Sequence, residues 1–169
     1  MTDTRVRAYR IISSLAVVAA ATVTVATVHD TQSVAVANES CAVRVNLALP
    51  GGSGEVTLRV LNGTRSAGLA ERVSDEFENR GFAMKKPAKS KSRLDQVAVV
   101  EYGPKSVGAA QWIRAFFLGQ AEPRFVPERT TDVIDVVLGE KFRELATSTE
   151  VNQSLAQLGE PELPPGTCA

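Results

Sequence analysis

The sequence contains few of the side chains that carry most enzyme chemistry. Its 169 residues include a single histidine, His29, and two cysteines, Cys41 and Cys168. One histidine is too few for the histidine-containing sites that hold catalytic metals, and the cysteine spacing excludes a CxxC pair. We therefore expect no metal site and no cofactor. We interpret His29 as an interfacial residue rather than a catalytic one.

Paired carboxylates are present, but they lack a partner for catalysis. Glu71 and Asp75 lie one helical turn apart on a charged face, and Asp132 and Asp135 alternate with apolar residues of a strand. Neither pair has nearby His, Cys or Ser side chains arranged as a nucleophile and its base. The sequence thus predicts no catalytic residue and favours a non-enzymatic protein.

The chain has no excess of charge of either sign and little aromatic material. Nineteen Lys and Arg residues balance nineteen Asp and Glu residues, and 5% of the residues are aromatic. A dedicated nucleic-acid binder normally carries a basic excess, so we expect no nucleic acid as a partner. A core with few aromatic rings must be built mainly from Val, Leu and Ala.

One long apolar run is present, near the N-terminus. Residues 11–28 are uncharged, and a helix needs roughly 20 residues to cross a bilayer. Three arginines within residues 1–10 predict a cytoplasmic N-terminus and an external remainder under the positive-inside rule. We expect a retained single-pass membrane anchor at 11–28; the alternative is a signal peptide cleaved after Ala37. Both alternatives place the remainder outside the cytoplasm.

The two cysteines suit an oxidising compartment. Cys41 follows the apolar run closely, and Cys168 is the penultimate residue. An even pair in an exported segment predicts a disulfide that ties the start of the external part to its end; two free thiols are the alternative. In the chain-entropy model, closing so long a loop stabilises the fold by about 5 kcal/mol.

Hydrophobic periodicity predicts strands and helices beyond the tether. Residues 42–49 and 55–61 alternate with period two, whereas 69–80 carry apolar side chains at helical spacing before Gly81. Further elements are expected as a strand at 96–103, a helix at 106–119, strands at 123–127 and 133–139, and a last helix around 151–158. The fold class is α/β (α+β): a small mixed sheet with two helices packed on one face and a β-α-β-β-α-β core, preceded by the N-terminal transmembrane helix.

The turn at Asn62-Gly63 is the first candidate site. It joins a strand to a helix, but it lacks the Gly-Lys-Ser/Thr of a P-loop and the three glycines of a dinucleotide fingerprint. We expect Gly63 to supply a positive φ and Thr64 or Ser66 to cap the helix. Free N–H groups at the helix start, reinforced by Arg65, would suit a phosphate or carboxylate of a polymer.

A basic stretch after the first helix is the second candidate site. Its five cations fall within nine residues of a predicted loop: Lys85, Lys86, Lys89, Lys91 and Arg93. Such a cluster suits an anionic wall polymer or lipid head groups. The alternative is a solvated loop that balances the acidic first helix.

The second helix carries more aromatic bulk than one apolar stripe needs. The side chains are those of Trp112, Phe116 and Phe117. Exposed, they would contact lipid tails or a partner. Ordinary core packing is the alternative, and it is the interpretation we favour.

Three blocks of the sequence resemble the LytR C-terminal domain family. VLNGTRSAGLAERVSDEFENRGF, residues 60–82, resembles the family's opening strand, turn and helix. VVEYGPKSVGAAQWI, residues 99–113, resembles its second block, and VIDVVLGEKF, residues 133–142, resembles its closing strand. The resemblance covers residues 55–142.

This resemblance implies an extracytoplasmic, wall-associated domain. Such domains often follow a LytR-CpsA-Psr phosphotransferase domain, for which this chain has no room, so the ligase activity of the larger proteins is not carried over. The layout of a short anchor, one such domain and terminal cysteines also resembles actinobacterial envelope-integrity proteins and a related virulence-associated group. The implied role is binding a wall or membrane component, or holding a complex together.

These inferences divide the chain into five parts and assign a function. We expect a cytoplasmic N-terminus at 1–10, an anchor at 11–28, a tether with an extra strand at 29–54, a LytR C-terminal-like domain at 55–142, and a helix with a proline-rich tail at 143–169. The expected function is support of envelope integrity by binding a cell-wall polymer or an envelope lipid, with the membrane and other envelope proteins as further partners. The alternatives are a lipid carrier with a pocket between sheet and helices, and a hydrolase or transferase acting on wall material.

Overall fold

The computed structural model describes residues 43–169. The predicted anchor at 11–28, the tether before Val43, His29 and Cys41 lie outside the described residues. Within residues 43–169, no helix combines the length and the apolar character needed to span a bilayer.

The described part of the chain contains seven strands and three α-helices. The strands are β1 Val43–Arg44, β2 Thr57–Asn62, β3 Ala83–Lys89, β4 Ala98–Tyr102, β5 Ala121–Phe125, β6 Ile134–Leu138 and β7 Thr167–Cys168. The helices are α1 Leu69–Asn79, α2 Val107–Ala115 and α3 Ser148–Leu158. The order from β2 to β5 is β-α-β-β-α-β, the order expected, but its second strand is β3, where the sequence predicts a loop.

Five strands form one mixed sheet in the order β3-β2-β6-β4-β5. β2 is parallel to both β3 and β6, β4 is parallel to β5, and β6 joins the two halves through antiparallel pairing with β4. The units β2-α1-β3 and β4-α2-β5 therefore repeat the same connection on either side of a central strand. All five residues of β6 are buried, which explains why all but Asp135 are apolar.

The two helices cover the same face of the sheet. α1 contacts β2 and β3, and α2 contacts β4 and β5. Phe77 of α1 is fully buried, and its ring lies 5.5 Å from that of Phe116 at the end of α2. Phe117 and Phe116 are themselves buried and Trp112 is partly buried against the core, so the aromatic surplus packs inside, as favoured.

The predicted strand at 42–49 is wrong beyond Arg44. The later residues direct their hydrogen bonds to the connection before α2: Asn46 N donates to Pro104 O at 2.8 Å, and Asn46 O accepts from Gly108 N at 3.0 Å. A Cβ on Gly108 would lie 2.2 Å from Ala48 O, so the segment lies directly against the helix start. The apolar alternation here serves packing on α2 rather than a sheet.

The C-terminal tail returns to the start of the described chain. β7 pairs with β1 in parallel, with Val43 opposite Thr167 and Arg44 opposite Cys168. This pairing brings the two ends of the domain together, as a disulfide between Cys41 and Cys168 requires. Because Cys41 lies outside the described residues, the disulfide stays a prediction.

Candidate functional site

The carboxyl ends of three parallel strands lie side by side at one end of the sheet. β2 ends at Asn62, β3 at Lys89 and β6 at Leu138, with Asn62 in register with both Lys89 and Leu138. The carboxyl ends of parallel strands are where the loops of α/β proteins gather side chains around ligands. The loops after these three strands therefore meet, although they are far apart in sequence.

The turn after β2 is organised by the side chain of Asn62. Its Oδ1 accepts hydrogen bonds from Thr64 N at 2.9 Å and Thr64 Oγ1 at 2.8 Å, and its Nδ2 donates to Ser66 O at 2.7 Å. Thr64 Oγ1 also accepts from Ser66 N at 3.0 Å. A short polar side chain of this type commonly fixes a turn in this way. Residues 62–66 thus form a rigid turn before α1.

Gly63 has a different role from the predicted one. Among the described residues, the glycines with positive φ do not include Gly63; Gly68, the N-cap of α1, has φ of 73°. A Cβ on Gly63 would lie 2.6 Å from Leu138 O, which accepts the Gly63 N–H at 2.9 Å. Gly63 is therefore needed for close approach to β6. The predicted capping by Thr64 or Ser66 is also wrong, because α1 begins only at Leu69 and its N-cap has no side-chain bond.

The basic stretch is attached to this turn by backbone hydrogen bonds. Ser90 N donates to Asn62 O at 2.9 Å, and Leu94 N donates to Gly63 O at 3.0 Å. Its predicted loop conformation is only partly right, since the first three lysines lie on β3 and the loop begins at Ser90. β3 is an edge strand, so its side chains reach solvent even though its backbone is paired with β2.

Together, the turn and the loop enclose a cavity of about 420 Å³, which we call the turn cavity. Seven of the nine predicted binding residues line it: Asn62, Gly63, Thr64, Arg65, Lys89, Lys91 and Arg93. Ser66, Ala67, Ser90 and Ser92 complete the lining, which contains no acidic residue. The two candidate sites of the sequence are therefore one site in the structure.

The backbone N–H groups of residues 63–66 already donate hydrogen bonds within the protein. The N–H groups of Gly63, Thr64 and Ser66 each donate to a protein acceptor. The N–H of Arg65 donates to Glu140 Oε1 at 3.0 Å. By contrast, the ion pairs of the described chain include none of the four cations of the cavity. These cations and the serine hydroxyls are the groups able to hold an anion.

The remaining two predicted residues, Lys85 and Lys86, line a second cavity of about 490 Å³ on the face of the sheet opposite α1 and α2. We call it the sheet cavity; its other lining residues are Arg59, Arg129, Thr131 and Val133. Asp135 lies behind it, 3% exposed, and accepts hydrogen bonds from both arginines. The hydrogen bond to Asp135 raises the pKa of the Arg59 guanidinium.

Sequence reasoning missed the pair Arg59 and Asp135. Each interrupts an apolar strand at a position that alternation assigns to the face opposite the helices, and the two are in register on neighbouring strands. The sequence did contain a signal for this pair: one apolar strand carries a single cation and the other a single anion, each on the face opposite the helices. The pairing of β2 with β6 was needed to use it.

The carboxylates singled out in the sequence lie in different parts of the domain. Glu71 and Asp75 are exposed on α1, whereas Asp135 is buried between two arginines. Over residues 43–169, no three His, Cys, Asp or Glu side chains are grouped as metal ligands.

Comparison with known proteins identifies the domain. No curated protein matches the chain in sequence. A crystal structure of the soluble domain of a conserved hypothetical secreted protein from Mycobacterium marinum is similar, with 26% identity and a TM-score of 0.53. The similarity covers 74% of this chain and 92% of that one. The model of the LytR_C family, described as LytR cell envelope-related transcriptional attenuator, matches residues 55–142, more than half of the sequence. The chain belongs to the LytR_C family.

Proposed function

We propose that this chain is a non-enzymatic, extracytoplasmic protein of the cell envelope that binds an anionic wall polymer or envelope lipid in the turn cavity. The observation that carries the proposal is the convergence of Asn62–Arg65 with the loop after β3. Two stretches separated by a helix and a strand place four cations around one cavity whose lining has no carboxylate.

The charge arrangement supports binding of an anion at this site. Like charges gathered around a concave surface repel one another, and an anion relieves that repulsion. Arg65 and Arg93 offer planar guanidinium groups that match carboxylate or phosphate oxygens, and the lysines add point charges. Such binding weakens as salt is added, because exposed charges are screened over about 10 Å at 0.1 M ionic strength.

The envelope location rests on three independent features. The family description refers to the cell envelope, and the similar Mycobacterium marinum protein is described as secreted. The uncharged run at 11–28 after three arginines is the expected anchor. We expect a periplasm-active reporter fused after Ala169 to be active and a cytosol-active one to be silent. The opposite pattern would refute the location.

Binding is tested with purified protein and isolated envelope material. The full chain in non-ionic detergent is incubated with peptidoglycan, with arabinogalactan and with vesicles of envelope lipid, and the retained fraction is measured. We expect retention on at least one material and its loss in the variant R65A/K91A/R93A.

The matched control is R72A/K141A/R143A, which removes the same charge from exposed positions outside both cavities. The control should bind as the unmodified chain does. No retention on any of the three materials, or equal loss in both triple variants, would contradict the proposal.

The two alternative functions have less support in the structure. A carrier needs an open pocket between sheet and helices, but that space is filled by Phe77, whose ring lies 5.4 Å from Phe82 and 6.5 Å from Phe117. A hydrolase or transferase needs converging carboxylates with a nucleophile, and the turn cavity has cations and hydroxyls instead.

A further inference from the structure

The sheet cavity contains cations that are held in place by a buried carboxylate. Arg59 donates through Nε and Nη2 to the two oxygens of Asp135, both at 2.7 Å. Arg129 donates to the same carboxylate at 3.0 and 3.1 Å. Two guanidinium groups thus share one buried anion, so one positive charge stays uncompensated at fixed positions. Such preorganisation lowers the conformational cost of binding a ligand.

Neighbouring charges do not cancel this excess. Glu101 is the nearest further carboxylate, 3.7 Å from Arg129, but it already pairs with Arg124 at 2.7 Å. Lys85 and Lys86 add two cations that belong to no ion pair of the described chain. The sheet cavity is therefore a second cationic site, built from residues other than those of the turn cavity.

The two cavities share the edge strand β3. Lys85 and Lys86 line the sheet cavity, and Lys89 lines the turn cavity. Lys89 is four positions after Lys85, and because the register of β3 shifts between them, the distance along the strand is at most about 13 Å at roughly 3.3 Å per residue. Among residues 43–169, no strand pairs with the outer side of β3, so a ligand lying along this edge can reach both cavities.

Protection of an edge strand against aggregation explains only part of this arrangement. Lysines and a proline on an edge, here Lys85, Lys86 and Pro87, are a common defence against pairing with another chain. That defence needs neither Arg59 on β2 nor Arg129 between β5 and β6, both of which are oriented by Asp135. Edge protection therefore does not account for the two guanidinium groups of the sheet cavity.

We propose that the ligand is an extended polyanion, with repeated phosphate or carboxylate groups, that lies along β3 and occupies both cavities at once. This inference rests on the proposed function and specifies its ligand class. A small anion fills one cavity and gains nothing from the other. A polymer that occupies one cavity presents its next charges to the second at high effective concentration, so its affinity exceeds that of either site.

The test compares a polymeric probe with a monomeric one. Long linear polyphosphate and inorganic phosphate are titrated calorimetrically into the full chain in non-ionic detergent at fixed salt. We expect polyphosphate to bind at least about tenfold more tightly than phosphate at equal phosphorus concentration. The variants K85Q/K86Q and K91Q/R93Q should each weaken polyphosphate binding by about tenfold, because each removes one of two linked sites.

Matched controls separate this inference from the proposed function. The variant R72Q/R143Q removes two exposed charges outside both cavities and should leave polyphosphate binding unchanged. If K91Q/R93Q abolishes binding and K85Q/K86Q has no effect, the second site is wrong while the turn cavity stands. If all three variants lost polyphosphate affinity equally, or if none lost it, both the extended-ligand inference and the proposed function would be overturned. Binding to anionic lipid vesicles but not to free polyphosphate would replace the polymer with a membrane surface.

Discussion

Arg59 and Asp135 face each other on neighbouring parallel strands and share two hydrogen bonds of 2.7 Å. The register continues this row across the sheet, from Asp135 to Glu101 on β4 and from Glu101 to Arg124 on β5. The two carboxylates are therefore neighbours in the middle of the row, with an arginine at each end, and Arg129 contacts both of them, Asp135 at 3.0 Å and Glu101 at 3.7 Å. The row fixes the register of the central strands and positions the cations of the sheet cavity.

Replacing Asp135 with Asn should destabilise the fold by about 1–3 kcal/mol, the cost of a lost charge-assisted hydrogen bond at a buried acceptor. The larger penalties known for broken buried ion pairs are not expected in full, because the Arg59 side chain is 45% exposed and Arg129, 17% exposed, keeps Glu101 at 3.7 Å as a second carboxylate. Urea unfolding followed by circular dichroism measures the change.

The control for this prediction is R124A, which removes an ion pair between partly exposed side chains. Its cost should stay below about 1 kcal/mol, as for most surface pairs. If D135N were as stable as R124A, the buried carboxylate would not hold the sheet as we infer.

Replacing Gly63 with Ala should destabilise the fold through a steric clash rather than through backbone strain. The new Cβ would lie 2.6 Å from Leu138 O, a backbone atom of the central strand that cannot move away easily. Overpacking of this kind costs about 1–3 kcal/mol. The Gly63 N–H to Leu138 O bond should weaken as well, and faster amide hydrogen exchange at Gly63 would report it.

Gly52→Ala provides the matched comparison. Gly52 has an extended backbone with φ of −173°, and a Cβ there meets no atom within 4 Å. Its replacement should change stability by no more than about 0.5 kcal/mol. Equal stability of the two variants would show that the strand end at Leu138 tolerates displacement.

Periodicity predicted the parts of the fold that bury one clear face. α1, α2 and α3 were expected from apolar spacing, and β6 from the apolar residues on either side of Asp135. β3 was not predicted as a strand, because an edge strand rich in lysine buries little of either face and leaves no alternating pattern. Apolar periodicity reflects the burial of side chains. It therefore does not predict elements that are held mainly by backbone hydrogen bonds.

The candidate site was predicted residue by residue but not as a unit. Asn62 and Lys89 each drew attention through local chemistry, yet only the pairing of β2 with β3 places them side by side. Strand order is a long-range property that local pattern does not encode. The conformation of Gly63 was misjudged for the same reason, since its constraint comes from Leu138, far along the chain.

A disulfide between Cys41 and Cys168 should stabilise the domain. β7 pairs with β1, so Cys168 lies beside the segment that follows Cys41. Mass spectrometry after alkylation without reductant should find no modified cysteine. The variant C41S/C168S should lose at most about 5 kcal/mol, the chain-entropy value for a long loop. Alkylation of both cysteines in protein kept under oxidising conditions would refute the bridge.

The start of α3 should lose stability in acid because of one carboxylate. The backbone N–H of Thr147 donates to Glu150 Oε2 at 2.8 Å, and Thr147 Oγ1 donates to the same oxygen. These two bonds favour the charged form and hold the pKa of Glu150 below its ordinary value of 4.5. A depressed pKa contributes stability above the unfolded-state pKa, and that contribution disappears as pH falls through the folded-state pKa.

Replacing Glu150 with Gln should therefore lower stability near neutral pH and make little difference at the acid end of the titration. Thr147→Ala removes the side-chain half of the capping box and should cost about 1 kcal/mol, the usual value for an N-cap. The control is E144Q, an exposed carboxylate outside the box with the same change of charge. The measurement is the free energy of unfolding of each variant and of the unmodified chain at a series of pH values from neutral downward. If the difference in unfolding free energy between E150Q and the unmodified chain stayed constant through the acid range, the charge of Glu150 would not contribute to the stability of the capping box.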